Sequence, residues 1–156
     1  MTHPVARRSP RRVRRFQAIA PLVSLMLTAC TVSLVSAYDE HIDQAATTLQ
    51  REMDAFLTSM ERAGDDPAGG FEANSGFYDQ YMVDLRAVEV RAAAHEDNDI
   101  TIQQIDLMRQ NVDELRTLHQ EQDGISPAAA ATFRELFNTA WRAVIQWEIA
   151  KKRGDG

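Results

Sequence analysis

Residues 42–60 read IDQAATTLQREMDAFLTSM, and this stretch decides the fold. Its apolar side chains recur at alternating intervals of four and three residues: Ile42, Ala46, Leu49, Met53, Phe56 and Met60. This spacing places them on one side of an α-helix, with mostly polar residues between them. Residues 64–70, GDDPAGG, combine glycines with a proline and must end the helix. The stretch therefore predicts an amphipathic helix over residues 38–63.

Three further stretches repeat the pattern and predict helices over about residues 75–97, 101–122 and 127–152. Asn74 or Ser75 is expected to cap the second helix, and Thr101 with Gln104 forms a capping-box pattern at the third. Ser126-Pro127 is typical of the start of a helix, an N-cap followed by proline. The main apolar positions are Tyr78, Tyr81, Leu85, Val88, Ala92 and His95 in the second helix, Ile105, Met108, Val112, Leu115 and His119 in the third, and Phe133, Phe137, Ala140, Val144 and Trp147 in the fourth.

Four helices of similar length joined by short connections favour antiparallel neighbours. We therefore expect an all-α protein, an up-down-up-down four-helix bundle over residues 38–153. The longest predicted connection, residues 64–75, contains one large apolar residue, Phe71. A long connection on a rigid scaffold often carries recognition. Phe71 is thus a candidate for contact with a partner protein, or it folds back over the end of the bundle.

The N-terminal region has the pattern of a secretory signal. The first 29 residues carry six arginines and no acidic residue, and residues 16–38 carry no charge. The apolar part ends in Leu27-Thr28-Ala29-Cys30, which resembles the lipobox of bacterial lipoproteins. The resemblance implies cleavage after Ala29 and acylation of Cys30, for example by palmitate. Residues 1–29 would then be the signal peptide and residues 30–37 a lipidated tether.

Two alternatives to lipidation remain open. Val35-Ser36-Ala37 offers the small residues of an ordinary signal-peptidase site, and the uncharged run is long enough to stay as a membrane anchor. In all three cases the acidic part lies outside the cytoplasm, because the arginines hold the N-terminus inside. The residue after Cys30 is Thr31 rather than aspartate, which by the lipoprotein resemblance favours the outer membrane.

The charge of the chain from Cys30 onward excludes one class of partner. This part has 11 basic and 23 acidic side chains, a net charge of −12, and so repels nucleic acid. The cations Lys151, Lys152 and Arg153 at the predicted end of the last helix are the exception, and they could rest on anionic headgroups. A helix terminus stabilised by its cations explains them equally well.

The motifs of common helical-bundle enzymes and cofactor proteins do not occur. There is no Glu-x-x-His, Cys-x-x-Cys-His or Gly-x-Ser-x-Gly, so we expect neither a cofactor nor an enzyme. The chain resembles the small proteobacterial envelope lipoproteins that have no assigned activity. We therefore expect a membrane-anchored, periplasm-facing lipoprotein that contacts an unknown envelope protein, through Phe71 or through the helix face around Arg86, Glu89 and Arg91.

A second hypothesis is a carrier of a metal or another small ligand, bound through His41 and His95 or in the core of the bundle. The expected topology brings His41 and His95 to the same end of the bundle, among several acidic residues. Histidines with carboxylates can bind zinc or copper. However, acidic residues also gather at helix N-termini for electrostatic reasons, and no tight ligand spacing supports a metal site here.

Overall fold

The computed structural model describes residues 36–64 and 66–154. They form four α-helices and one short 3₁₀ helix, at Pro67–Gly69. The α-helices are α1 (Glu40–Ala63), α2 (Phe71–Ala93), α3 (Asp99–Gln122) and α4 (Pro127–Gly154). These residues contain no strand, so the predicted all-α class is confirmed. Cys30, the lipobox and the predicted signal peptide lie outside the described residues.

The helices enclose one apolar core. Helix α1 packs against α4 and α2, and helix α3 packs against α2 and α4. Among the largest side chains of the core are Trp141, Tyr78, Tyr81 and Phe137. The indole N–H of Trp141 donates to the hydroxyl of Tyr81 at 3.0 Å, and that hydroxyl donates to the carbonyl oxygen of Leu49 at 3.1 Å. These two hydrogen bonds connect α4, α2 and α1 inside the core.

Helix α2 begins at Phe71, four residues before the predicted start. Its N-cap, Gly70, has no side chain that could accept a hydrogen bond. The carboxylate of Asp123, which follows α3, instead accepts the Phe71 N–H at 2.9 Å. The prediction of a cap at Asn74 or Ser75 was wrong, because the capping group comes from a residue 52 positions away in the sequence.

The junction between α2 and α3 also differs from the prediction. Helix α2 ends at Ala93 instead of residue 97, and the Asn98 amide donates to the carbonyl oxygen of Ala92 at 3.0 Å. Asn98 is also the N-cap of α3, which begins at Asp99. The predicted capping box at Thr101 was therefore wrong. Thr101 lies inside α3 and is buried.

Helix α4 begins as predicted. The hydroxyl oxygen of Ser126 accepts the N–H of Ala129 at 3.2 Å, and Pro127 is the first helical residue. Proline suits this position because its missing N–H would have no partner within the helix.

The buried side of α4 is rotated from the predicted one. The expected core positions Ala140 and Trp147 are only partly buried, whereas Trp141 is fully buried. The line of buried residues continues past Trp141 through Val144 to Glu148 and Lys151. The prediction was right for Phe133, Phe137 and Val144. It was wrong for Ala140 and Trp147, because it assumed that the charged residues near the end of the helix face the solvent.

Candidate functional site

Buried polar side chains and two partly exposed basic ones, Arg91 and His95, gather where the chain enters α1. We call this group the terminal clamp, and it consists of Ser36, Asp39, Arg91, His95, Asn98, Thr101, Glu148 and Lys151. It contains six of the seven buried polar or charged residues of the described part of the chain. The clamp joins the segment before α1 to residues of α2, α3 and α4. It is the most extensive polar arrangement in this fold and the best candidate for a functional site.

Lys151 is the centre of the clamp, and its side chain is 1% exposed. The ammonium group donates three hydrogen bonds: to Oδ1 of Asn98 at 2.6 Å, to the hydroxyl oxygen of Thr101 at 3.0 Å and to Oε1 of Glu148 at 2.7 Å. An ammonium group has three N–H donors, so each has an acceptor. This explains how a charged side chain can be buried without an unpaired donor.

Glu148 faces Lys151 one helical turn away. Its Oε1 accepts from Lys151 and also from the Thr101 hydroxyl at 3.1 Å. Its Oε2 is buried and has no hydrogen-bond partner among the described residues. A buried carboxylate oxygen without a hydrogen-bond partner lowers the stability of the fold. The hydrogen bonds from Thr101 to Glu148 and from Lys151 to Asn98 and Thr101 help to offset this cost.

The segment before α1 is attached to this pair through Asn98. The hydroxyl of the buried Ser36 donates to Oδ1 of Asn98 at 2.9 Å, the same oxygen that accepts from Lys151. The backbone N–H of Ser36 donates to the carbonyl oxygen of Asp97 at 3.2 Å. Residues 30–37 were expected to form a tether outside the fold, and for Ser36 that prediction was wrong. Ser36 is part of the packed protein.

Asp39 attaches the same segment to α2. Its Oδ1 accepts the backbone N–H of His41 at 2.8 Å, which caps α1. Its Oδ2 accepts from Arg91 at 2.6 Å and from the imidazole N–H of His95 at 2.8 Å. Burial raises the pKa of Asp39, but the hydrogen bonds from Arg91, His95 and the His41 backbone outweigh burial and lower the pKa from 3.8 to about 2. Asp39 is therefore a carboxylate at neutral pH.

Tyr38 lies on the outer side of the clamp. Its hydroxyl donates to Oδ2 of Asp43 at 2.9 Å, and this hydrogen bond raises the pKa of Tyr38 to about 12. The ammonium nitrogen of Lys152 lies 4.8 Å from the centre of the Tyr38 ring, within the range of a cation–π interaction.

The three cations at the end of α4 were suggested for contact with lipid headgroups. Of these, Lys151 is buried and Lys152 faces Tyr38. Arg153 is exposed.

The two histidines of the carrier hypothesis have different surroundings. The His95 imidazole donates to Asp39, whereas the His41 imidazole is exposed and only its backbone N–H contacts that carboxylate. Within the described residues, no group of three or more His, Cys, Asp or Glu side chains is arranged to hold a metal ion.

Phe71, Glu89 and Arg91, three of the candidate partner-contact residues, make contacts within the fold. The Phe71 ring is half-buried, with its centre 6.1 Å from that of Tyr78 and 5.5 Å from that of His119. On the helix face formed by Arg86, Glu89 and Arg91, two residues form ion pairs. Arg91 pairs with Asp39, and Glu89 pairs with Arg109 at 3.1 Å. Contact of Phe71 with a partner remains a prediction.

A second buried polar contact lies near Phe71. The imidazole of the fully buried His119 contacts the carbonyl oxygen of Gly69 through Nε2 at 2.8 Å and the Tyr78 hydroxyl through Nδ1 at 2.9 Å. A carbonyl oxygen only accepts hydrogen bonds, so Nε2 carries a hydrogen. In the neutral ring Nδ1 then accepts from Tyr78. Burial raises the pKa of Tyr78, which keeps its hydroxyl available as a donor.

Comparison of the chain with protein-family models, with curated proteins and with solved structures finds no match. Among the described residues, none of the helices has the length and apolar character needed to cross a bilayer.

Proposed function

We propose that this protein is a non-catalytic envelope lipoprotein. In this proposal, Cys30 carries the lipid that anchors the chain in the membrane. The helical bundle works on the periplasmic side through contacts with an envelope protein. The position of Thr31 after Cys30 favours the outer membrane. The observation that carries the proposal is the burial of Ser36, six residues after Cys30.

The terminal clamp supports this proposal because it gives a tether a firm point of attachment. Six residues span at most about 20 Å, so lipid at Cys30 would keep the clamp close to the membrane surface. Cleavage after Ala37 would instead remove Ser36 and its hydrogen bond to Asn98. The packing of Ser36 thus favours processing at Cys30 over processing at Ala37.

We also propose the up-down-up-down topology, which the ion pairs and hydrogen bonds between helices support. Gln50 bonds to Asn138, whereas Glu61, further along α1, pairs with Arg134, earlier in α4. Rising residue numbers on one helix thus meet falling numbers on the other. The pairs Asp79–Arg116 and Glu89–Arg109 repeat this relationship between α2 and α3.

The topology can be tested with spin labels in a chain that carries Cys30→Ser. Labels at positions 62 and 135 should lie close together, and labels at 62 and 153 should lie far apart. Because an α-helix rises about 1.5 Å per residue, the second distance should exceed the first by roughly 20–30 Å. The reverse order of distances would contradict the proposed topology.

Lipidation can be tested by labelling cells that express the full chain with radioactive palmitate. We expect label in the wild type and none in Cys30→Ser. Thr28→Ser is the matched control, because it keeps a small hydroxyl residue in the lipobox and should retain the label. A mature protein that begins at Tyr38, or label that persists in Cys30→Ser, would overturn the proposal.

A further inference from the structure

A groove with a volume of about 380 Å³ lies between α1 and α2, in the half of these helices nearer the terminal clamp. Its floor consists of the buried side chains of Ile42, Leu49 and Val88. Ala45 and Ala87 also line it. A groove of this volume can accept one or two side chains of another molecule.

The groove follows from the side chains that face each other across α1 and α2. Towards the other end of these helices, Phe56 and Phe77 stack with their ring centres 3.9 Å apart and fill the space between the backbones. In the groove, the corresponding positions are taken by the small residues Ala45, Thr48 and Ala87. These side chains are too short to meet, so an apolar floor stays accessible.

Acidic side chains line the groove on both helices. Glu52 belongs to α1 and Asp84 to α2. Within residues 36–64 and 66–154, no basic side chain lies within ion-pair distance of either carboxylate. Arg91 also lines the groove, but its charge is paired with Asp39. The groove thus combines an apolar floor with uncompensated negative charge.

We propose that this groove docks a segment of a partner protein in which an apolar side chain is flanked by lysine or arginine. The apolar side chain would cover the floor, and the cations would pair with Glu52 and Asp84. The inference rests on the proposed contact-based function and specifies the chemistry of the partner. A second copy of this acidic chain, an anionic lipid surface and a nucleic acid all fit worse, because like charges repel.

The test uses the mature lipidated protein, which begins at Cys30, in phosphatidylcholine nanodiscs. Two fluorescein-labelled amphipathic peptides serve as probes; they share a leucine face, and one is flanked by lysines and the other by glutamates. Fluorescence anisotropy, with empty nanodiscs as the blank, measures binding. We expect saturable binding of the lysine peptide, weakened by added salt, and at least about tenfold weaker binding of the glutamate peptide.

Two groove variants, each with a matched control on another helix, locate the binding. Glu52→Lys with Asp84→Lys should weaken binding of the lysine peptide about tenfold or more. The matched control, Glu114→Lys with Glu121→Lys, changes the net charge equally on α3 and should change binding by less than about threefold. Ala87→Trp should abolish binding by filling the groove without altering charge, whereas Ala143→Trp on α4 should leave it intact. Circular dichroism verifies that each variant is folded.

The proposal is overturned if the lysine peptide shows no saturable binding, if both peptides bind equally, or if the α3 control loses as much affinity as the groove variant. Self-association of the chain through the groove, detected by mass, would also overturn it. Peptide binding does not require the lipid, so an unlipidated chain that begins at Thr31 should bind the lysine peptide equally well. Failure of the groove is therefore separable from failure of the palmitate labelling.

Discussion

The ammonium nitrogen of Lys151 lies 2.7 Å from Oε1 of Glu148, and both side chains are buried at the end of α4. Transfer of two charges out of water is costly, and their attraction repays this cost only when the other polar atoms nearby are satisfied. Asn98 and Thr101 provide that satisfaction for the ammonium group. The clamp therefore depends on both partners being present.

Removal of Lys151 alone should destabilise the fold strongly. Lys151→Met leaves the buried Glu148 carboxylate without its cation, and we expect a loss of about 3–5 kcal/mol in the free energy of unfolding. The double variant Lys151→Met, Glu148→Leu removes both charges and should be more stable than the sum of the two single losses predicts. Urea unfolding followed by circular dichroism measures all three variants.

Arg153→Met is the matched control for this experiment. Arg153 lies in the same final turn of α4 but is exposed. Its replacement should change the stability by less than about 0.5 kcal/mol. Additive single losses, or a Lys151→Met variant as stable as the Arg153 control, would contradict the role given to the buried pair.

The sequence predicted those parts of the fold that depend on local signals. The four-and-three spacing of apolar residues identified the buried side of α1, from Ile42 to Met60. Ser126-Pro127 identified the start of α4, because the N-cap and the proline act on adjacent residues. Such features need no knowledge of the other helices.

The expected topology placed His95 among acidic residues at this end of the bundle, and His95 does contact Asp39 there. The buried pair of Glu148 and Lys151 was missed because its contacts are distant in sequence. Glu148 and Lys151 resemble an ordinary solvated helix end until Asn98 and Thr101 are placed beside them. One signal was available. The intervals from Phe137 through residues 141, 144 and 148 to Lys151 continue the four-and-three spacing of the core, and the two charged residues occupy core positions in it.

Acid should weaken the attachment of Asp39. Its pKa in the folded protein is about 2, below the ordinary value of 3.8, so the stabilisation is fully present above about pH 4 and is lost as the pH falls towards 2. Asp39→Asn can still cap α1 but loses the charge. It should be about 1–2 kcal/mol less stable than the wild type at pH 7, since Arg91 is nearly half exposed and its attraction is screened.

The measurement for Asp39 is the difference in unfolding free energy between wild type and Asp39→Asn, followed from pH 7 to pH 2. The difference should shrink below about pH 4. Glu114→Gln, at an exposed position on α3, serves as the control and should differ little from the wild type throughout. A difference for Asp39→Asn that grows on acidification would show the opposite sign and refute the assignment.

Ser36 should contribute to the stability of the bundle. Ser36→Ala removes the donor to Asn98 and should cost about 1 kcal/mol, while Ala37→Ser, at an exposed position, should be nearly neutral. A chain that begins at Tyr38 also loses the backbone hydrogen bond of Ser36 to Asp97, and should be about 1–3 kcal/mol less stable than one that begins at Cys30. Equal thermal unfolding curves for these two chains would rule out a structural role for Ser36.

In its neutral form, the His119 imidazole should carry its hydrogen on Nε2. The carbonyl oxygen of Gly69 requires a hydrogen on Nε2, and the Tyr78 hydroxyl then donates to Nδ1. Nitrogen-15 NMR of the imidazole distinguishes the two tautomers, and a hydrogen on Nδ1 would contradict this arrangement. Tyr78→Phe leaves the buried Nδ1 without a donor and should cost about 1–3 kcal/mol, whereas Tyr38→Phe, away from the core, should cost less.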